Sequence, residues 1–412
     1  MTKKILLIIG ILAVIGVAVF LIFNSKPQAE GESRVGFSIR DYLPFGGSED
    51  SGATAPVSNE EKEGPTVVST NQPVPRLRKI SSEPVAGAII FNMSSTSLVR
   101  FVEKGTGNVY EAKSDTVAIQ RLTNTTIPKI IRALWLPDGS AFLAQTLIPE
   151  SEIIETNFVK LSKSIASTTD ETLTPFSTTI GKLPTGIKEI TIKPDGSKIF
   201  YYIAGGLSKW FISNPDGTNS SQIMTHPLTE WVPKWVSGNI VIMQTKGSSE
   251  SIGYIYSFDV SSKVFKKIGF GVSGISSNPN ADGSLNLISS GSPSPDLFVV
   301  SNKNASSTKT MVSTLAEKCV WLKEKSPSIY CAIPNQMPGG NYPDVWYKGL
   351  ISTEDFIEKI DLGNAMLSDV ADLSSLSDQK IDVVDMSISP DETHLIFRNK
   401  IDGYLWMLRI EE

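Results

Sequence analysis

Apolar and polar positions alternate with a period of two along most of the chain beyond residue 75, in short runs broken by turn residues. "IKEITI", "SKIFYYI", "LSKWFIS" and "SSQIMTH" follow one another between Ile187 and His226, and "WVPKW", "NIVIMQT", "GYIYSFD" and "FKKIGF" repeat the series. Period two places alternate side chains on opposite faces, so each run predicts a half-buried strand. Taking the residue that ends the first strand of each series as an anchor gives Asn92, Trp135, Ile192, Trp235, Asn278, Trp321 and Ile388, at intervals of 43, 57, 43, 43, 43 and 67. Four antiparallel strands every 40-odd residues is the pattern of a propeller blade, and seven anchors predict seven blades. The surplus in the second unit falls on "PESEIIETNF" and "SIASTTDETLTPF"; that before the last anchor is assigned to "LGNAMLSDVADLSSLSDQ", residues 362–379.

Near-copies of one turn separate the first two strands: "WLPDGS", "IKPDGS" and "SISPDE". Proline presets φ, aspartate bonds its own backbone two residues on, and glycine accepts positive φ, so the motif is read as a turn. A calcium loop would need several oxygen ligands at fixed short offsets. The last unit runs out of chain after three strands, and "PRLRKISSEP" resembles "IQRLTNTTIP", the end of the first unit. A strand at 76–81 is therefore expected to complete the last blade and remove its open edge, giving an all-β propeller over 76–412.

The first residues are different in kind. "MTKK" (1–4) precedes 19 uncharged apolar residues, Ile5 to Phe23. As a helix they would reach about 28 Å, close to the hydrocarbon thickness of a bilayer. That run is long for a cleaved leader, and the flanking lysines set the orientation, so 5–23 is expected to be a single-pass signal anchor with the rest of the chain extracytoplasmic. Residues 24–75 lack either period and are rich in Gly, Ser, Pro and acid, as in a flexible tether. One island, 36–47, is out of character, with Phe37, Ile39, Tyr42, Leu43 and Phe45 close together. It is either a docking segment for another protein or a patch that packs on the propeller or the lipid interface.

"WVPKWVSGNIVIM", "WLPDGSAFLAQ" and "SISPDETHLIF" resemble the WD40-like repeats of TolB-type bacterial propellers, over most of the chain beyond the tether, with altered turns at "ISSNPNADGS" and "WLKEKSPS". The resemblance implies a protein of the bacterial cell envelope, anchored in the plasma membrane and acting as a binding platform. Its partner would be another envelope protein or a surface polymer.

Chemistry is sparse. A net charge of −5 and a pI near 5.4 argue against nucleic acid. The only histidines, His226 and His394, stand far apart, and no Gly-x-Ser-x-Gly elbow, phosphate loop or clustered Cys and His occurs, so no catalytic residue, cofactor or metal is assigned. The alternative function is a propeller enzyme, a lyase or hydrolase acting on surface polysaccharide or peptide.

Three tryptophans, Trp135, Trp235 and Trp321, share the anchor position, which points to packing between blades. Three residues before the anchors stand Ile89, Arg132, Glu189, Val232, Ile275, Lys318 and Asp385. Charges on an innermost strand are expected to face a water-filled channel, where Arg132 with Glu189 and Lys318 with Asp385 either pair across adjacent blades or recognise a ligand. Trp231, one residue earlier, is a lone aromatic expected near the channel mouth. Cys319 and Cys331 lie six residues either side of the turn at Lys325, so they should sit opposite each other and form a disulfide in an oxidising compartment.

Overall fold

The computed structural model describes residues 73–93, 96–151, 153–164, 175–291, 293–323 and 326–411. Among them, 28 strands form seven four-stranded antiparallel sheets, the blades of a propeller. The innermost strands of blades 1 to 7 are β2 (Val85–Met93), β6 (Ile130–Trp135), β10 (Ile187–Ile192), β14 (Trp231–Ser237), β18 (Ser276–Pro279), β22 (Cys319–Trp321) and β26 (Val383–Ile388). In the first six blades the remaining strands follow outward in chain order.

Blade 7 differs. Outward from β26 come β27 (His394–Asn399), β28 (Leu405–Arg409) and then β1 (Leu77–Lys79), which pairs Leu77 with Leu408 and Lys79 with Trp406. Ile80 N–H donates to Leu405 O at 2.8 Å, and Arg409 N–H to Arg76 O at 2.8 Å, extending the ladder at both ends. The Arg78 guanidinium also donates to the carbonyls of Lys113 and Thr116, tying the closing strand to blade 1.

Apolar side chains gather between blades. Phe200, Tyr202 and Trp210 of blade 3 pack with Trp235, Val241, Met243 and Phe258 of blade 4. Ile80, Leu405 and Met407 of blade 7 pack with Ile90, Val99 and Phe101 of blade 1. The anchor tryptophans serve the same joints. The indole of Trp135 donates to Gly87 O at 3.3 Å and that of Trp321 to Asn278 O at 2.9 Å, each in the preceding blade, while Trp235 meets Phe200 edge-on. The repeated turn works as its residues require. Asp138 Oδ1 accepts from Ser140 N at 3.0 Å and Asp195 Oδ1 from Ser197 N at 2.9 Å, with Gly139 and Gly196 at φ 67° and 73°.

Most of the surplus before the last anchor does not lie where the sequence placed it. Within 362–379, Met366–Asp372 is β25, the outer strand of blade 6. The extra length is instead the loop 335–354, between β23 (Ser328–Pro334) and β24 (Asp355–Asp361), with a smaller share in the helical turn Leu373–Ser377 and the residues after it. Pattern counting located an excess without fixing which hairpin held it.

The apolar run 5–23, the tether up to residue 72 and the island with Phe37, Ile39, Tyr42, Leu43 and Phe45 lie outside the described residues. Among the described residues, no helix is long and apolar enough to cross a membrane.

Candidate binding site in the central channel

The innermost strands surround a channel. One stretch, of about 610 Å³, is lined by residues that include Ile89, Arg132, Val232 and Ser387. It continues into a second stretch of about 400 Å³ bounded by Trp346, Tyr347, Arg398 and Lys400; Lys234, Ser277, Glu317 and Asp385 line both.

The loop 335–354 of blade 6 lies over this second stretch. Its prolines and glycines ("MPGGNYP") exclude regular strand, and a helical turn, Asp344–Tyr347, starts after Pro343. Asn335 N–H donates to Glu354 O at 2.8 Å and closes the base. At the far side Asp344 Oδ2 accepts from Ser249 N of blade 4 at 2.5 Å. Blade 5 accommodates the loop with two glycines: a Cβ at Gly274 or at Gly291 would come within 2.3 Å of Tyr342 O, and Gly274 also has φ 66°.

The near side is fixed by a buried charge cluster. Lys318 is 2% exposed, yet its Nζ lies 2.7 Å from Asp355 Oδ2, 2.9 Å from Asp382 Oδ1 and 2.7 Å from Thr353 Oγ1. Asp382 also accepts from the loop: Trp346 Nε1 at 2.9 Å, Thr353 N at 3.1 Å and Thr353 Oγ1 at 2.9 Å. Burial raises the Asp382 pKa, but the Lys318 ammonium and these donors outweigh it and hold the carboxyl below its usual range. Burial pushes Asp355 up, against the pull of Lys318; its Oδ1 has no hydrogen-bond partner among the described residues. Lys400 completes the group, donating to Ile351 O at 3.1 Å with its Nζ 5.0 Å from the Trp346 ring centre.

The residues singled out in the sequence meet different fates. Arg132 lines the channel and, as one of the two expectations had it, pairs with Glu189 at 2.9 Å between blades 2 and 3. Asp385 lines the channel but pairs with Arg398 of its own blade, at 3.0 Å, and not with Lys318. Lys318 borders the channel cavity but its ammonium is buried against Asp355 and Asp382, because a 3₁₀ turn, Ala316–Lys318, precedes β22 and breaks the alternation, leaving Glu317 as the exposed side chain there. Ile275, in the matching place in blade 5, is fully buried just before β18 begins. Trp231 is not at the mouth. It is 1% exposed, donates from its indole to Leu228 O at 3.1 Å, and sits among His226, Tyr256 and Phe265. Val232 takes the channel-facing place instead. Cys319 and Cys331 are paired in register and joined by a disulfide, with Cα atoms 4.1 Å apart. His226 ends a strand and accepts from Leu228 N at 3.1 Å; neither histidine lines the channel cavities.

Two residues that matter were passed over. Lys234 stands two residues beyond Val232 and so shares its face. It is the only charged residue among the seven positions immediately before the anchors, and that was the available signal. Its Nζ donates to Asn278 Oδ1 at 2.5 Å, while Asn278 Nδ2 donates to Cys319 O at 2.6 Å. The side chain stays accessible to the channel, but the protein packed around it partly desolvates the ammonium and lowers its pKa to about 8. Glu317 accepts from Tyr347 OH at 2.5 Å and from Ser276 Oγ at 3.3 Å. Both side chains remain accessible, yet partial desolvation by the surrounding protein pushes the Glu317 pKa up despite these bonds and, together with the Glu317 charge, pushes the Tyr347 phenol well up. Among the described residues, no group of three or more His, Cys, Asp or Glu is placed to hold a metal.

The fold and channel define a seven-bladed β-propeller of four-stranded blades. No protein-family model matches the chain, and no curated protein is significantly similar to it in sequence. Among solved structures, the oligogalacturonate lyase from Vibrio parahaemolyticus is similar with a TM-score of 0.52 at 12% identity, over 82% of this chain and 94% of that one. An oligogalacturonate lyase in complex with manganese gives 0.49 at 12%, over 80% and 97%. TolB from Acinetobacter baumannii gives 0.41 at 12%, over 64% and 59%. Structural neighbours of the propeller thus include both TolB and oligogalacturonate lyase, and at these identities the likeness is one of fold.

Proposed function

We propose that this protein is a binding module of the bacterial cell envelope, held at the plasma membrane by residues 5–23, with its ligand seat in the covered end of the channel between blades 4 and 7. The observation that carries this is the pair Lys234 and Glu317, which line one channel cavity with no charged partner within ion-pair distance among the described residues, beside a loop pinned on both sides. Clefts and cavities with a few convergent polar groups are the usual form of a small-ligand site. The reading as a binder rather than a lyase or hydrolase is supported by both histidines lying outside the channel lining. The partner is another envelope protein that inserts a segment into the channel, or a fragment of a surface polymer.

The test is capture from envelope extracts by the full chain in detergent, alongside Lys234→Met and Glu317→Gln variants. Partners lost from both variants support the channel as the seat. Turnover of glycan or peptide panels, with or without added divalent metal, would replace the binding reading with the enzymatic one. The address is checked separately: protease added to spheroplasts should release a compact core, and protection of the propeller would invert the orientation.

A further inference from the structure

One cluster of charge lies away from the channel, at the seam of blade 7. A small recess there is lined by Arg76, Arg78, Ser114, His394 and Arg409, and by no carboxylate. It stands at the end of the ring opposite the loop 335–354, since antiparallel strands place successive connections at alternate ends. Arg78 sets its chemistry. The residue is 8% exposed, and its hydrogen-bond partners are neutral: the carbonyls of Lys113 and Thr116, and the Met407 sulfur at 3.7 Å. Its Nε has no partner among the described residues, and Asp115 attracts the guanidinium only from beyond ion-pair distance. Arg76 and Arg409 share one carboxylate, that of Glu411, at 3.4 and 3.2 Å, and that side chain is half exposed. Burial lowers the His394 pKa, and Arg409 and Arg78 lower it further against the pull of Asp391.

A buried guanidinium without a counter-charge is costly, and an anion at its open side offsets that cost. A carboxylate offers two oxygens in one plane. Guanidiniums arriving from three separate positions are better matched by the oxygens of a tetrahedral anion. The recess, of about 10 Å³, holds one water-sized sphere, so a single oxygen enters and the rest of the group stays at the mouth. We infer that the seam of blade 7 binds a phosphate group, with one oxygen received beside Arg78 and the others by Arg76 and Arg409. Ser114 and His394 supply the remaining polar contacts. The Glu411 carboxylate is an internal stand-in that the phosphate displaces. Because the recess joins β1 to β27 and β28, its ligand braces the strand that closes the ring.

The experiment is calorimetric titration of the full chain in detergent with inorganic phosphate, glycerol 3-phosphate, dimethyl phosphate and acetate at constant ionic strength. The phosphate forms are expected to bind, and acetate to bind about tenfold more weakly. Arg78 also ties β1 to blade 1, so the variants leave it in place. Arg409→Gln should weaken phosphate binding about fivefold, and its combination with Arg76→Gln about tenfold or more, with thermal melts showing that both variants fold. Glu411→Gln should strengthen binding about threefold, which removal of a purely structural ion pair would not do. Amide exchange over 394–409 in nanodiscs of neutral or anionic phospholipid identifies the source. Protection by anionic lipid that the double variant lacks assigns the group to a lipid headgroup; protection by free phosphate alone assigns it to a soluble or polymeric carrier. Acetate binding as tightly as phosphate would overturn the phosphate. Binding untouched by the double variant would overturn the site. Neither binding of any phosphate form at millimolar concentration nor protection by anionic lipid would overturn the inference as a whole.

Discussion

Blades 4 and 6 are built to the same four-stranded plan and are held in different ways. In blade 4 the inner strand is seven residues long, and the packing around it is aromatic, with Trp231, Tyr256, Phe258 and Phe265 in contact with one another or with blade 3. In blade 6 the inner strand is three residues long and is stapled to its neighbour by the Cys319–Cys331 disulfide. Beside it lies a lysine with two carboxylates where blade 4 has hydrocarbon. Equivalent repeat positions even invert hydropathy: Val232 is 42% exposed to the channel and Lys318 is 2% exposed. A single 3₁₀ turn produces the inversion, and three oxygen acceptors make the buried ammonium tolerable. The difference teaches that the regular blades carry the ring, whereas the irregular one carries the covering loop and the inward carboxylate.

The largest expected effect comes from exchanging chemistry at that shared position. Lys318→Met should cost about 3–5 kcal/mol, because it strands two buried carboxylates. Val232→Thr, at a wet position, should change stability by less than about 0.5 kcal/mol. Chemical denaturation of the two variants measures this, and equal losses would break the contrast between the blades.

Next comes the staple. Reduction, or Cys319→Ser with Cys331→Ser, should lower stability by about 2–3 kcal/mol in the chain-entropy account of a short closed loop. Thiol labelling of denatured, unreduced protein should find no reactive thiol; two per chain would remove the bond from the account.

A smaller and local effect is expected for Trp346→Phe, which removes the indole donor to Asp382. A hydrogen bond to a charged group contributes about 1.5–3 kcal/mol. Amide exchange in the 335–354 loop should speed up while the inner strands of blades 3 and 4 keep their protection. A uniform loss across the ring would mean the loop is not a separable unit.

The smallest effect is on pH dependence. Lys234 is charged below its pKa of about 8 and loses its proton above it. Affinity for any anionic ligand held by Lys234 should therefore hold level below that value and fall as pH rises through it. Lys234→Arg should flatten the profile, since a guanidinium stays protonated there. A fall that persists in Lys234→Arg would assign the titration to another group.

The ring was legible because its information is local and repeated. Each Pro-Asp-Gly turn and each period-two run reads without knowledge of the rest, and the matched spacing of Cys319 and Cys331 about Lys325 placed them face to face. The site was legible only in part. Period two carries the inward face from Val232 to Lys234, so that lysine could have been found by extending the same alternation. Glu317 could not, because a 3₁₀ turn breaks the alternation just before a strand of three residues. Nor could the roles of Asp355, Asp382 and Trp346, which meet across two blades and a loop with no repeat to index them. Trp231 misled for the opposite reason: a lone aromatic in an otherwise variable column marks a locally enlarged joint between blades as readily as an opening.

The seam of blade 7 also has a consequence in time. The bond from Leu405 N–H to Ser81 Oγ joins residues 324 apart in sequence. Blades 1 to 6 can each form from contiguous chain, while the seventh must wait for its last inner strands before residues 77–79 have anything to pair with. Closing so long a loop is costly from an unfolded chain, but the cost grows only logarithmically and falls when stacked blades already bring the ends together. The expected order is blades first and seam last. Pulsed hydrogen exchange during refolding should show the amides of Leu405–Arg409 protected after those of Ile199–Ile203 in blade 3; simultaneous protection would mean that the ring condenses in one step.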